Sequence, residues 1–172
     1  ALVCGLAPSS LVDLELDEPA GATSFADSSG NGRTATCSDV CPQSGVSGQF
    51  GNAVSFDAVN KQALRVNGVN FANKSFTLST WLKSPGGSPS GAIISQGGLG
   101  HVNPGGAVIL GANNGNIYCD LWQLNSSPNL SAPIGDNGWH QWACTFDLPT
   151  RQMTLYRDGV VVDATRLQGP TV

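Results

Sequence analysis

Three groups of side chains in this 172-residue sequence have types and spacings that suit chemistry. The first is Asp27-Ser28-Ser29-Gly30-Asn31-Gly32, with two oxygen-bearing side chains four residues apart and glycines that permit a tight turn. Calcium takes about six to eight hard oxygens from carboxylates, carbonyls and water, and such a loop can offer several. The competing reading is an Asx turn in which Asp27 caps its own backbone. The second group lies in CDLWQLN, where Asp120, Trp122, Gln123 and Asn125 follow Asn113 and Asn114 of GANNGN. An aromatic face stacks on the C–H groups of a pyranose while amides and carboxylates reach its hydroxyls, so these residues form a candidate sugar platform. The competing reading makes Trp122 a packing residue of a sheet.

The third group is the five cysteines, Cys4, Cys37, Cys41, Cys119 and Cys144. The odd number leaves one without a partner in the chain. Cys37 and Cys41, four apart in a Ser/Gly/Pro-rich stretch, predict a small disulfide loop; a zinc site lacks two further nearby ligands. Cys119 and Cys144 each fall inside a strand-like run. They can bond if those strands are antiparallel neighbours and the two residues face each other; otherwise they are small buried apolar residues. Disulfides point to an exported, oxidised protein, and a start without Met at Ala1-Leu2-Val3-Cys4 suits a processed N-terminus.

Other chemistry finds little support. The histidines are His101, in a glycine-rich stretch, and His140, expected to be a packed structural side chain. No G-x-S-x-G elbow and no phosphate-binding loop occurs. Net charge is −4 with no Lys/Arg cluster, so nucleic acid is a poor partner. No apolar run is long enough to span a bilayer as a helix. Asn73, Asn125 and Asn129 begin Asn-x-Ser sequons.

The elements that must position these residues are strands. Charged residues make up only 12%, with two glutamates and three lysines, which disfavours long surface helices. Strand-like runs recur at 10–17, 52–58, 63–67, 75–83, 91–97, 106–112, 115–122, 139–147, 152–158 and 159–166, separated by Gly/Asn/Pro/Ser clusters. In 75–83, Phe76, Leu78, Thr80 and Leu82 share one face; in 139–147, His140, Trp142, Cys144 and Phe146 do. Period two with one apolar face is what antiparallel sheets packed on each other require. Asp158-Gly159 predicts a two-residue type I′ hairpin with Tyr156 opposite Val161 and Leu155 opposite Val162. Residues 84–90 read as a surface loop.

Four segments, in order, resemble the laminin-G-like domains of the concanavalin A-like lectin/glucanase superfamily. They are LVDLELDEPAGATSFADSSGNGRTAT (11–36), GQFGNAVSFDAVNKQALRVN (48–67), SFTLSTWLKS (75–84) and GWHQWACTFDLPTRQMTLYRDGVVV (138–162). The resemblance implies an all-β jelly-roll sandwich of two antiparallel sheets over 11–172, preceded by an extension, 1–10. It also implies that the Asp27 loop contributes to a structural calcium site, with Asp17 as a further ligand, and that Trp81, Trp139 and Trp142 are core. Glucanases of this superfamily carry E-x-D-x-x-E or E-x-D-x-E on one strand. Here Glu15-Leu16-Asp17-Glu18-Pro19-Ala20 lacks the third carboxylate, so no catalysis is expected. The family's usual final strand is missing from ATRLQGPTV, which predicts an open sheet edge. Residues 1–10, a longer natural chain, or a strand donated by a neighbouring subunit would fill it.

The expectation is therefore a non-catalytic extracellular structural or adhesion module, pictured as a protomer of a surface filament or layer. Its partners would be other protein subunits or cell-surface components. The alternative is a calcium-dependent carbohydrate-binding module.

Overall fold

The computed structural model describes residues 10–37, 39–84, 86, 89–97, 107–122 and 130–167. Among them every regular element is a strand and every pairing is antiparallel. The chain divides into two compact units, one up to Val69 and one from Asn70.

The first unit holds β1 (Ser24–Phe25), β2 (Ala35–Cys37), β3 (Gln43–Ser47), β4 (Asn52–Ser55) and β5 (Leu64–Arg65). They form a three-stranded sheet in the order β1-β2-β5 and a β3-β4 hairpin. The strand expected at 10–17 does not form. Leu16 is left-handed (φ 61°), which breaks the pleat, and the Asp13 amide donates to the Asp27 side chain rather than to a ladder. The short strands β1, β2 and β3 lie in stretches too polar and glycine-rich for period-two reading.

The second unit holds β6 (Phe76–Lys83), β7 (Gly91–Gln96), β8 (Ala107–Asn113), β9 (Asn116–Trp122), β10 (Leu130–Pro133), β11 (Trp139–Asp147), β12 (Gln152–Arg157) and β13 (Val160–Arg166). Two four-stranded sheets result, ordered β10-β9-β8-β7 and β13-β12-β11-β6. Their inner faces meet in one core that includes Leu78, Leu110, Ile117, Leu130, Trp142, Phe146, Met153 and Leu155. Phe76 stacks between Phe71 and Phe146 at its margin, centroids 5.3 and 5.7 Å apart. This is the expected sandwich, with the predicted faces of β6 and β11 turned inward.

Two details differ from expectation. In the β12–β13 hairpin both turn residues take positive φ, Asp158 at 53° and Gly159 at 77°, and Tyr156 does face Val161. Leu155, however, faces Asp163, because a bulge between Leu155 and Tyr156 leaves Val162 without an opposite residue. Trp81 is not core: it is 39% exposed. It shares the outward face of β6 with Thr77, Ser79 and Lys83, as strict alternation demands.

Candidate functional site

The Asp27 loop is held together from within. Asp27 Oδ1 accepts the amides of Asp13 (2.9 Å) and Ser29 (3.0 Å), and Oδ2 accepts the amide of Arg33 (2.8 Å). The Asp13 amide first, then the Ser29 side chain and the remaining amides, hold the carboxyl far below the usual carboxylate range. Asn31 Nδ2 donates to the carbonyls of Ser10 (3.0 Å) and Leu11 (3.2 Å). The Arg33 guanidinium donates to the same Leu11 carbonyl at 2.8 Å. Gly30 and Gly32 take the positive φ that lets the loop fold over its own carboxylate.

Asp17 lies in a different arrangement. Its Oδ1 accepts the Asn52 amide at 2.5 Å, and its carbonyl accepts Asn52 Nδ2 at 3.0 Å. Asp17 and Asp27 thus accept chain amides, Asn31 donates through Nδ2, and a guanidinium shares the loop. Calcium would need oxygens turned to one point, so binding there would compete with these amide bonds. Among the described residues no group of three or more His, Cys, Asp or Glu side chains is placed to hold a metal.

The described residues of the candidate sugar platform are spread along the β8–β9 hairpin. Asn113 and Asn116 pair at the closed end of the β8–β9 hairpin, whose turn is Asn114 (φ 49°) and Gly115 (φ 77°). Trp122 pairs with Ala107 at the opposite end, about 20 Å away at ~3.4 Å per residue. Asp120, opposite Ile109, is 2% exposed, and Ile109 is buried with it, so this face of the hairpin is closed to a ligand. Asn114-Gly115 is also a hairpin-turn signal, and Asn114 supplies the first residue of that turn. Cys4, His101, Gln123, Asn125, Asn129 and the side chain of Trp122 lie outside the described residues.

Both expected disulfides are present. Cys37 and Cys41 are bonded with Cα atoms 5.2 Å apart, and Cys119 and Cys144 with Cα atoms 6.2 Å apart. The second differs from expectation in kind. β9 and β11 belong to different sheets, so the bond crosses the sandwich between inner faces instead of joining neighbours in one ladder. Both cysteines are fully buried.

The sequence reading missed one charged constellation at the rim of the core. His140, on the inward face of β11, sits between two carboxylates: Nδ1 is 2.7 Å from Asp158 Oδ2 and Nε2 is 3.0 Å from Asp136 Oδ1. Arg157 Nη2 lies 3.2 Å from Asp136 Oδ2 and 2.7 Å from His140 Nε2, and the guanidinium covers Trp142 at 5.8 Å. Asp158 Oδ1 also accepts the Gln141 amide, and the Asp158 amide returns a bond to the Gln141 carbonyl. Hydrogen bonding to Asp136 and then Asp158 raises the His140 pKa, and the same bonds lower both carboxyls. Gly135 and Gly138 make room: a Cβ at 135 would stand 2.6 Å from Arg157 Nη1, and one at 138 would stand 2.8 Å from Asp136 Oδ1. The hairpin turn at Asp158 was legible, and an antiparallel β11 beside it would have brought Asp158 to His140.

Residues 58–172 match the family described as the concanavalin A-like lectin/glucanases superfamily, through its laminin-G-like branch. The chain belongs to this superfamily. The concanavalin A-like fold is also that of a solved structure, residues 221–444 of an S-layer domain-containing protein from Clostridium thermocellum. The two are 22% identical with a TM-score of 0.50, over 92% of this chain and 74% of that one. No curated protein matches the chain. Concanavalin A-like membership settles architecture, not activity, since this scaffold carries many functions. Among the described residues, no helix is long and apolar enough to cross a membrane.

Proposed function

We propose that this protein is a non-catalytic extracellular structural or adhesion module that assembles with other protein subunits or with cell-surface components. The observation that carries the reading is the buried Cys119–Cys144 bond. A disulfide that bolts the two sheets together through the core suits an oxidising compartment outside the cytosol. The likeness to a domain of an S-layer domain-containing protein supports a surface role. The sequence around Glu18 supports the absence of hydrolysis: Glu18 accepts the Ala26 amide at 2.7 Å, in the stretch where Pro19 and Ala20 break the carboxylate pattern.

The assembly surface in this reading is the free side of β13. Among the described residues it is an edge strand, and Val160, Val161 and Val162 are 66%, 54% and 39% exposed. Three consecutive exposed valines on a sheet edge favour pairing with another strand. The bulge at Val162 and the bond from the Ser131 amide to Asp163 Oδ2 (2.9 Å) confine the open stretch to the hairpin end. Light scattering across a concentration series tests this. Concentration-dependent association that Val161→Lys abolishes is the expected result, and a strictly monomeric protein at high concentration refutes self-assembly. Glycan-array binding that requires calcium would instead favour the lectin-like alternative.

A further inference from the structure

We propose that Asp136, His140, Arg157 and Asp158 form a proton-operated clasp, in which His140 Nε2 alternates between donating to Asp136 and accepting from Arg157. The clasp stands independently of the assembly reading.

Both ring nitrogens of His140 face a carboxylate oxygen, at 2.7 and 3.0 Å. Only the imidazolium, with two N–H donors, satisfies both. Yet a guanidinium nitrogen lies 2.7 Å from the same Nε2. That distance suits an Arg N–H donating to an unprotonated nitrogen and is unfavourable between two cations. One set of positions therefore serves two hydrogen-bond patterns. With the proton, Nε2–H donates to Asp136 Oδ1, and Arg157 keeps only Asp136 Oδ2. Without it, Nδ1–H still donates to Asp158, Nε2 accepts from Arg157, and Asp136 keeps the Gly138 amide and Arg157.

Arg157 has room and reason to move between them. Its Nε is buried without a hydrogen-bond partner, while Asp158 Oδ2 stands 3.8 Å away. A displacement of about 1 Å, as repulsion from the imidazolium would favour, closes that gap to hydrogen-bond range. The glycines at 135 and 138 supply the space. On the neighbouring strand β6, Lys83 pairs with Trp139 on the opposite face of the sheet, and Leu82 is the residue opposite His140. The protonated clasp ties the connection leading into β11 and the β12–β13 tip to one ring with charge-assisted bonds. Protonation thus stiffens the hairpin end that carries Val160–Val162.

The test is nitrogen-15 NMR of the His140 ring across a pH titration of the intact wild-type protein. The expected result is an apparent pKa above the ordinary value of 6.5, with Nδ1–H as the neutral tautomer. In parallel, exchange of the Asp158 and Gln141 amides should quicken once the ring deprotonates. Arg157→Gln should raise the pKa further and remove the tautomer bias. A neutral form with the proton on Nε2, or titration at or below 6.5, overturns the proposal without reference to any variant.

Discussion

Cys119 on β9 and Cys144 on β11 are bonded across the interior of the sandwich, so the two four-stranded sheets are covalently joined at the centre of their shared core. The bond closes a 25-residue separation that includes all of β10. In the chain-entropy account, a loop of this size stabilises by about 3 kcal/mol. The Cys119→Ala/Cys144→Ala double variant should lose about that much in chemical denaturation. The same change at Cys37 and Cys41, four residues apart, should cost nearer ~2 kcal/mol.

Trp142 and Trp81 should respond oppositely to truncation. Trp142 is fully buried beneath Arg157, so Trp142→Ala should cost about 3–5 kcal/mol. Trp81 sits on the outward face of an edge strand, so Trp81→Ala should cost less than about 1 kcal/mol. Urea melts of the two variants check the contrast.

Asp27 should act as an acceptor of amides rather than as a calcium ligand. Asp27→Ala should speed hydrogen exchange at Asp13, Ser29 and Arg33, the three amides it accepts, and Asp27→Asn should preserve part of that protection. Calcium would have to displace these donors, so millimolar calcium should leave the melting temperature unchanged. A calcium-dependent rise lost in Asp27→Asn would restore the metal reading.

Stability should fall at both ends of the pH range for opposite reasons. The His140 pKa is raised in the fold by Asp136 and then Asp158. Its contribution is therefore complete below the unfolded value near 6.5 and is lost as pH rises through the folded value. Asp27, Asp136 and Asp158 are lowered. Their contribution is complete above the unfolded value near 3.8 and is lost as pH falls through their folded values. Thermal melts of wild type and His140→Gln should differ most in mild acid and converge in alkali.

Much of the sandwich was legible because buried rows alternate with exposed ones. Phe76, Leu78, Trp142, Cys144 and Phe146 announce their faces by period alone. Leu14-Glu15-Leu16 alternates like a strand, yet Leu16 turns left-handed. The sheet assignment of β9 and β11 depends on contacts remote in sequence, so local pattern suggested bonded cysteines without showing that they join opposite layers. The His140 cluster gathers residues from three segments, and no single window contains it.

The central claim is an exported scaffold whose layers are bolted through the core. Non-reducing peptide mapping of the protein taken from its native compartment tests this most directly. Recovery of the Cys119 and Cys144 peptides as one linked species, beside a Cys37–Cys41 loop, is the expected result. Quantitative labelling of Cys119 and Cys144 as free thiols in the folded protein would contradict it.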